Sequence, residues 1–435
     1  MAIRSAISLG INLKSRSTRT SDISKEVRCR VWWSLCMLEQ VLCVMTGRPT
    51  CISGDSCTPP PLPFEEEQFH LPSVSVLLSD YCLRYRCISG LTTGWSDCMK
   101  QSGATPLAST PSRTAKDPGV RSGSEFSKAT TPNNSLCFLY LVDLTSIARE
   151  ILKQLYSADA GRAPWSLVEL MIKNSTAKAD AWLSNLPDVF NFTLEQSSQS
   201  FLQQRLRLAF QFYSTRICLS YPCLYPVNRT NQYSNGSFHH TFAILCVESA
   251  CHALELIPKE PSASALSTLT PWWCLLHYIV QAATVLLLEL SFGVVHMPHK
   301  KVPIFDLTKK AIRWLLYMSN ESTASHRAWV FCDIFIRRIA PNIGMTVDEL
   351  PNMVYNSFTL PSLSGLHSLS DANPIYSNNI PSQDSILGDA WIPPTRTTYD
   401  DILTCDPARE EFPPFFLSMS DDMDLGLDEG YEVFL

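Results

Sequence analysis

The chain has 435 residues, 45% hydrophobic and only 17% charged, with a net charge of −6. That is enough apolar material for a large buried core, and the length alone suggests two or three domains. The charge is uneven: Asp400 to Leu435 holds 11 acidic residues against the single base Arg409, which leaves the remainder at +4, too near neutral to offer duplex DNA an electrostatic footprint.

In chain order, Ala2 to Leu9 predicts a short amphipathic helix. It lacks the apolar core run and cleavage site of a secretory leader, so no signal peptide is expected. Glu26 to Met45 predicts a longer helix, capped by Asp22 or Ser24 and stopped by Gly47-Arg48-Pro49. Val27, Val31, Leu35, Leu38, Leu42 and Met45 make one apolar stripe along it. Trp32 and Trp33 are adjacent, hence about 100° apart on a helix; one is assigned to the core and the other to an interface. Glu26, Arg28 and Arg30 read as structural, pairing along the helix or holding the loop at Asp55, with Arg48 as a further anchor for that loop.

Residues 51–80 predict an irregular loop, because Pro59-Pro60-Pro61-Leu62-Pro63 cannot be helix interior, followed by a short apolar stretch, Val74 to Leu78. Residues 81–135 are rich in Ser, Thr, Gly and Pro without a sustained apolar period and read as a disordered insertion; the same composition fits translated intron. Residues 136–344 are helical text: Leu136 to Tyr156, Trp165 to Leu183, Phe201 to Leu219, Phe238 to Ile257, Trp272 to Phe292, Lys309 to Met318 and Ala324 to Ile339. Pro187, Pro222, Pro258, Gly293 and Pro341 punctuate them. Residues 345–399 read as a flexible linker and 400–435 as an acidic tail. No strand alternation is long enough to build a sheet. The class expected is all-α, an irregular multi-helix bundle with a disordered insertion, a linker and an acidic C-terminal tail.

Pro261 to Leu288 carries no charge, which raises a membrane span. Pro271 interrupts it, and His277, Gln281 and Glu289 recur on one helical face, so a buried core helix is expected instead. The chain holds 16 cysteines, and no two have C-x-x-C spacing. Cys29, Cys36 and Cys43 repeat every seven residues, about 10.5 Å apart on a helix axis, too far to share a disulfide or a metal. They read as small buried hydrophobes. So do the pairs Cys218/Cys223 and Cys246/Cys251, and so many unpaired thiols indicate a reducing compartment.

Catalytic patterns are sparse. No G-x-S-x-G, P-loop or G-x-G-x-x-G occurs. Asp55 with Glu65, Glu66 and Glu67 lies in a Pro-rich loop, a poor platform for acid–base work. His239, His240, Glu248 and His252 are close in sequence, with Glu248 and His252 at i, i+4, which is the metal alternative to a solvated helix face.

Three stretches carry a resemblance. Ala2 to Leu13 reads A-x-R-x-A-x-x-L-G-I-N-L, Glu26 to Pro49 reads E-x-R-x-R-x-W-W-S-L-x-x-L-E-x-x-x-x-x-x-x-G-R-P, and Asp55 to Pro63 is an acidic-Pro loop. Together they resemble the fungal-specific transcription factor domain, the middle regulatory region of zinc-cluster gene activators. The likeness continues at Trp165 to Pro187, Phe210 to Leu224, Cys246 to Pro258, Trp272 to Gly293 and Lys309 to Gly344. It implies that residues 1–80 and 136–344 form one regulatory domain. It also implies that the zinc cluster, the DNA-reading module and the first helices of the regulatory domain are not in this chain, so that helices 1 and 2 show apolar surface.

The function expected is a non-enzymatic nuclear transcription regulator. It would reach DNA only through a missing or separate module, with zinc there and no cofactor in this chain, and would have no membrane association. Coactivators are the expected partners, with a homodimer as a further one. In the tail, acidic residues keep Phe412, Phe415, Phe416, Leu417, Met423, Leu425, Leu427 and Phe434 exposed for such a partner; a merely solubilising tail is the alternative. A second reading is a helical small-molecule-binding or metal-dependent enzyme using the Glu248/His252 face, and a third is an inactive truncated product.

Overall fold

A computed structural model of the chain describes residues 2–14, 17, 19–52, 58–89, 91–92, 131–157, 163–194, 200–224 and 237–351. Among these there are twelve α-helices and no strand, as the periodicity predicts. In chain order they are α1 (Ala2–Ser8), α2 (Asp22–Thr46), α3 (Pro72–Ser79), α4 (Tyr81–Ser89), α5 (Asn134–Leu155) and α6 (Trp165–Ser184). There follow α7 (Leu202–Ser220), α8 (Phe238–Glu255), α9 (Ala263–Leu269), α10 (Trp272–Ser291), α11 (Lys301–Met318) and α12 (Thr323–Ile339). All lie within residues 1–347 of one compact unit; of a second unit, 348–410, only 348–351 are described, and they hold no helix.

The bundle is built around α7, α8 and α10, which pack on one another, with α11 and α12 against α10 and with α5 and α6 against α7. Helix α10 is long and apolar enough to span a membrane, yet most of it is buried inside the bundle. Its polar face is buried too: His277, Gln281 and Glu289 are each at most 6% exposed. Buried polar atoms need partners, and Gln281 Nε2 donates to Cys218 Sγ at 3.2 Å, while Glu289 accepts from the backbone N–H of His296 at 2.9 Å and meets its Nδ1 at 2.6 Å. Tryptophans tie neighbours together: Trp182 Nε1 on α6 donates to the Tyr140 carbonyl of α5 at 3.0 Å, and Trp314 Nε1 on α11 to the Pro258 carbonyl at 2.9 Å.

Three elements differ from expectation. Helix α2 is capped by Ser21, whose hydroxyl accepts from Ser24 N at 3.2 Å, rather than by Asp22 or Ser24; its stop at Gly47, φ 62°, is as predicted. Helix α11 begins at Lys301 instead of Lys309, because Pro303 falls in the first turn, where a missing N–H costs nothing. Tyr81–Ser89, inside the segment expected as an insertion, is helical as α4, with Arg84, Cys87 and Ile88 buried. Residues 93–130, 352–399 and 400–435, which hold most of the expected insertion, the linker and the tail, lie outside the described residues.

Candidate functional site

Helix α2 organises the N-terminal third. Its inward face is not the predicted aliphatic stripe. Cys29, Trp32, Trp33, Cys36, Cys43 and Val44 are buried, with Glu26, Glu39 and Gln40 among them. Both tryptophans are core, at 1% and 3% exposure, so neither is the interface residue expected. Ile23, Val27, Val31, Leu38 and Leu42 are instead 38–43% exposed, and Ile7, Leu9 and Leu13 next to them in sequence are also exposed. The expectation that the first two helices show apolar surface therefore holds. The physical reason lies opposite the helix: a polar clamp, in which the carbonyls of the proline run and the Arg84 guanidinium receive Trp33 and Glu26, fixes that face inward.

That clamp centres on Glu26, which is fully buried. It pairs with Arg30 at 3.0 Å and with buried Arg84 of α4 at 2.5 Å, and it accepts from Leu62 N at 2.9 Å. Arg84 also donates to the Pro60 carbonyl through Nε at 2.8 Å. Trp33 Nε1 and the Cys29 thiol both donate to the Pro59 carbonyl at 2.8 Å, and Arg30 reaches the Phe64 carbonyl at 2.5 Å. A proline run has few N–H donors of its own, so its carbonyls must be met by side chains. Here α2 and α4 supply them. Arg28 donates instead to the carbonyls of Leu9 and Gly10, holding the end of α1. The segment directly after α2 is held by Glu39, which accepts from Thr50 Oγ1 at 2.7 Å and Cys51 N at 2.5 Å, and Arg48 is exposed. Asp55 lies outside the described residues.

The acid–base and metal candidates do not converge. Glu65 accepts from Ser135 N and Oγ, both at 3.2 Å, while Glu66 and Glu67 are exposed. Glu248 pairs with Lys300 at 3.5 Å, His252 with Glu255 at 2.9 Å, and His239 stacks on Trp165 at 4.5 Å between centroids. Among the described residues no three His, Cys, Asp or Glu side chains are placed to hold a metal ion. The cysteines of the α2 seam are buried, and burial pushes the Cys36 and Cys43 thiols up to about 12 and Cys29 higher still. The cysteine spacing does not fit a zinc cluster.

Two arrangements were not foreseen. A buried polar chain links α2 to the central helices: Gln211 Nε2 donates to Gln40 Oε1 at 3.0 Å, and Tyr278 OH to Gln211 Oε1 at 3.0 Å. A groove of about 1170 Å³ opens between α5, α7, α9, the start of α10 and the α11–α12 turn. Its residues come from four separated stretches, so no local pattern announces it. The tail residues Phe412, Phe415, Phe416, Leu417, Met423, Leu425, Leu427 and Phe434 lie outside the described residues.

Residues 1–182 match the model of the fungal specific transcription factor domain. The chain is also similar to the transcription regulator galc of Aspergillus niger, 34% identical over 390 residues, which cover 81% of this chain and 45% of that protein. The chain thus spans less than half the length of this curated relative. No solved structure matches it.

Proposed function

We propose that this chain is the regulatory and activating part of a fungal transcription regulator that works by contact and not by bond-breaking. The observation that carries the reading is the family match over residues 1–182 together with the similarity to a transcription regulator across 81% of the chain. Its setting would be the nucleus. DNA would be reached through a module outside this sequence, since neither the near-neutral body nor the cysteine spacing supplies one. Coactivators would be contacted by the acidic–aromatic tail, with ordering of that tail limiting affinity.

The test is a fusion of the full chain to a heterologous DNA-binding module upstream of a reporter in a fungal host. Output is expected, and replacing Phe412, Phe415, Phe416 and Leu417 together by Ala is expected to abolish it. A silent fusion that accumulates normally in the nucleus overturns the activating role. Unchanged output from the quadruple variant overturns the role of the tail.

A further inference from the structure

The groove beside α7 combines three features that an idle surface rarely brings together. The first is size: about 1170 Å³, somewhat above the roughly 300–1,000 Å³ usual for small-molecule sites and so roomy enough for one. The second is an aromatic wall. Phe138 and Tyr317 line it, and Trp272 is 50% exposed and stacks on no other ring among the described residues. The third is a cation. Arg207 lines the groove and makes no ion pair or hydrogen bond among the described residues.

The charge on Arg207 also reaches buried groups, of which Cys137 lines the groove. It opposes the burial that raises the Cys137 and Cys274 thiols, and it acts in the same sense on Tyr278. The first turn of α10 adds to this field, because Pro271 at its cap offers no side-chain acceptor to the free N–H groups. Glu321 lies on the rim without pairing with Arg207. Among the described residues one base and one acid line the groove, which suits a single negative charge; a polyanion such as nucleic acid would meet Glu321 and find no basic track among them.

We propose that this groove binds a small organic monocarboxylate with a flat apolar body, its carboxylate on Arg207 and its body against Trp272. Guanidinium and carboxylate match as a two-pronged, charge-assisted pair, and an exposed indole gains most from a flat apolar partner. The site is independent of the transcriptional reading, because binding is measured on the purified chain without promoter or reporter.

The experiment is calorimetric titration of the full chain with 2-naphthoate and with its uncharged amide, 2-naphthamide. Saturable one-to-one binding of naphthoate is expected, with binding of the amide at least about tenfold weaker, the loss expected from removing one charge-assisted hydrogen-bonded pair. Arg207→Gln should weaken naphthoate by a similar factor, Arg207→Lys by less, and Trp272→Ala should weaken both ligands. Arg207 has no hydrogen-bond or ion-pair partner to lose among the described residues, so Arg207→Gln should keep the wild-type circular dichroism spectrum and melting temperature. Three results overturn the proposal: no saturable binding, equal binding of acid and amide, or naphthoate affinity unchanged in Arg207→Gln.

Discussion

Replacing Glu26 by Ala should detach the proline loop from the bundle. Glu26 is 0% and Arg84 2% exposed, so both charges have given up water for each other. Removing the acid leaves Arg84 buried opposite only carbonyls and a thiol, and leaves Leu62 N without its acceptor. Breaking a buried pair from one side costs about 3–5 kcal/mol. The orphaned amide accounts for part of that figure and does not add to it. Arg30 moderates the loss little, because it keeps its own bonds to the Leu62 and Phe64 carbonyls. The direct assay is hydrogen exchange at the Leu62 amide, which should accelerate by about two orders of magnitude or more for a loss of this size. The melting temperature should fall in parallel. The double variant Glu26→Leu with Arg84→Met should recover part of the stability, since it removes the buried unpaired charge, but not the share carried by the Leu62 amide and the Pro60 carbonyl, which still lack these partners. The reasoning fails if Glu26→Ala behaves like Glu66→Ala, a change at an exposed acid two residues past Phe64.

Other outcomes follow from the same structure. Leu38→Lys on the outward face of α2 should change stability by no more than about 0.5 kcal/mol, whereas Trp33→Phe, which removes the bond to the Pro59 carbonyl, should cost about 1 kcal/mol; urea unfolding midpoints compare the two. His277 is fully buried and held down to about 4 by desolvation, below its ordinary 6.5. Its neutral form is therefore the stable one: stability is complete above about 6.5, declines as pH falls toward 4 because the unfolded chain takes the proton first, and the loss amounts to about 3 kcal/mol. His277→Phe should flatten that stretch of the stability–pH curve, and a curve of unchanged slope would contradict it. In native thiol labelling, Cys51 and Cys82 should react first among the described cysteines, with Cys29, Cys36, Cys246 and Cys332 silent until unfolding; early labelling of Cys36 would show that the α2 seam is open.

Much of the fold was legible because helix periodicity and its punctuation are local. Gly47, Pro187 and Pro222 end helices through their own backbone chemistry, and the polar face of α10 could be read from spacing alone. The candidate site was less legible. Arg84 sits in text too poor in apolar period to suggest a helix, yet it supplies the counter-charge for Glu26 from 58 residues away. Arg207 and Trp272 are separated by 65 positions and meet only where α7 and the start of α10 line one groove.

Helix α2 shows where the division falls. Sequence by itself determined that Glu26 to Met45 is helical, where it stops, and that an aliphatic stripe runs along it beside Trp32 and Trp33, because these depend on residues within a turn or two of each other. Only the tertiary structure decided which face is buried. Both satisfy the same 3.6-residue period, so the choice rests on what lies opposite: the carbonyls of the proline run, the Arg84 guanidinium and the wall of α5 receive Trp32, Trp33 and Glu26, while Val27, Val31 and Leu38 are left toward solvent.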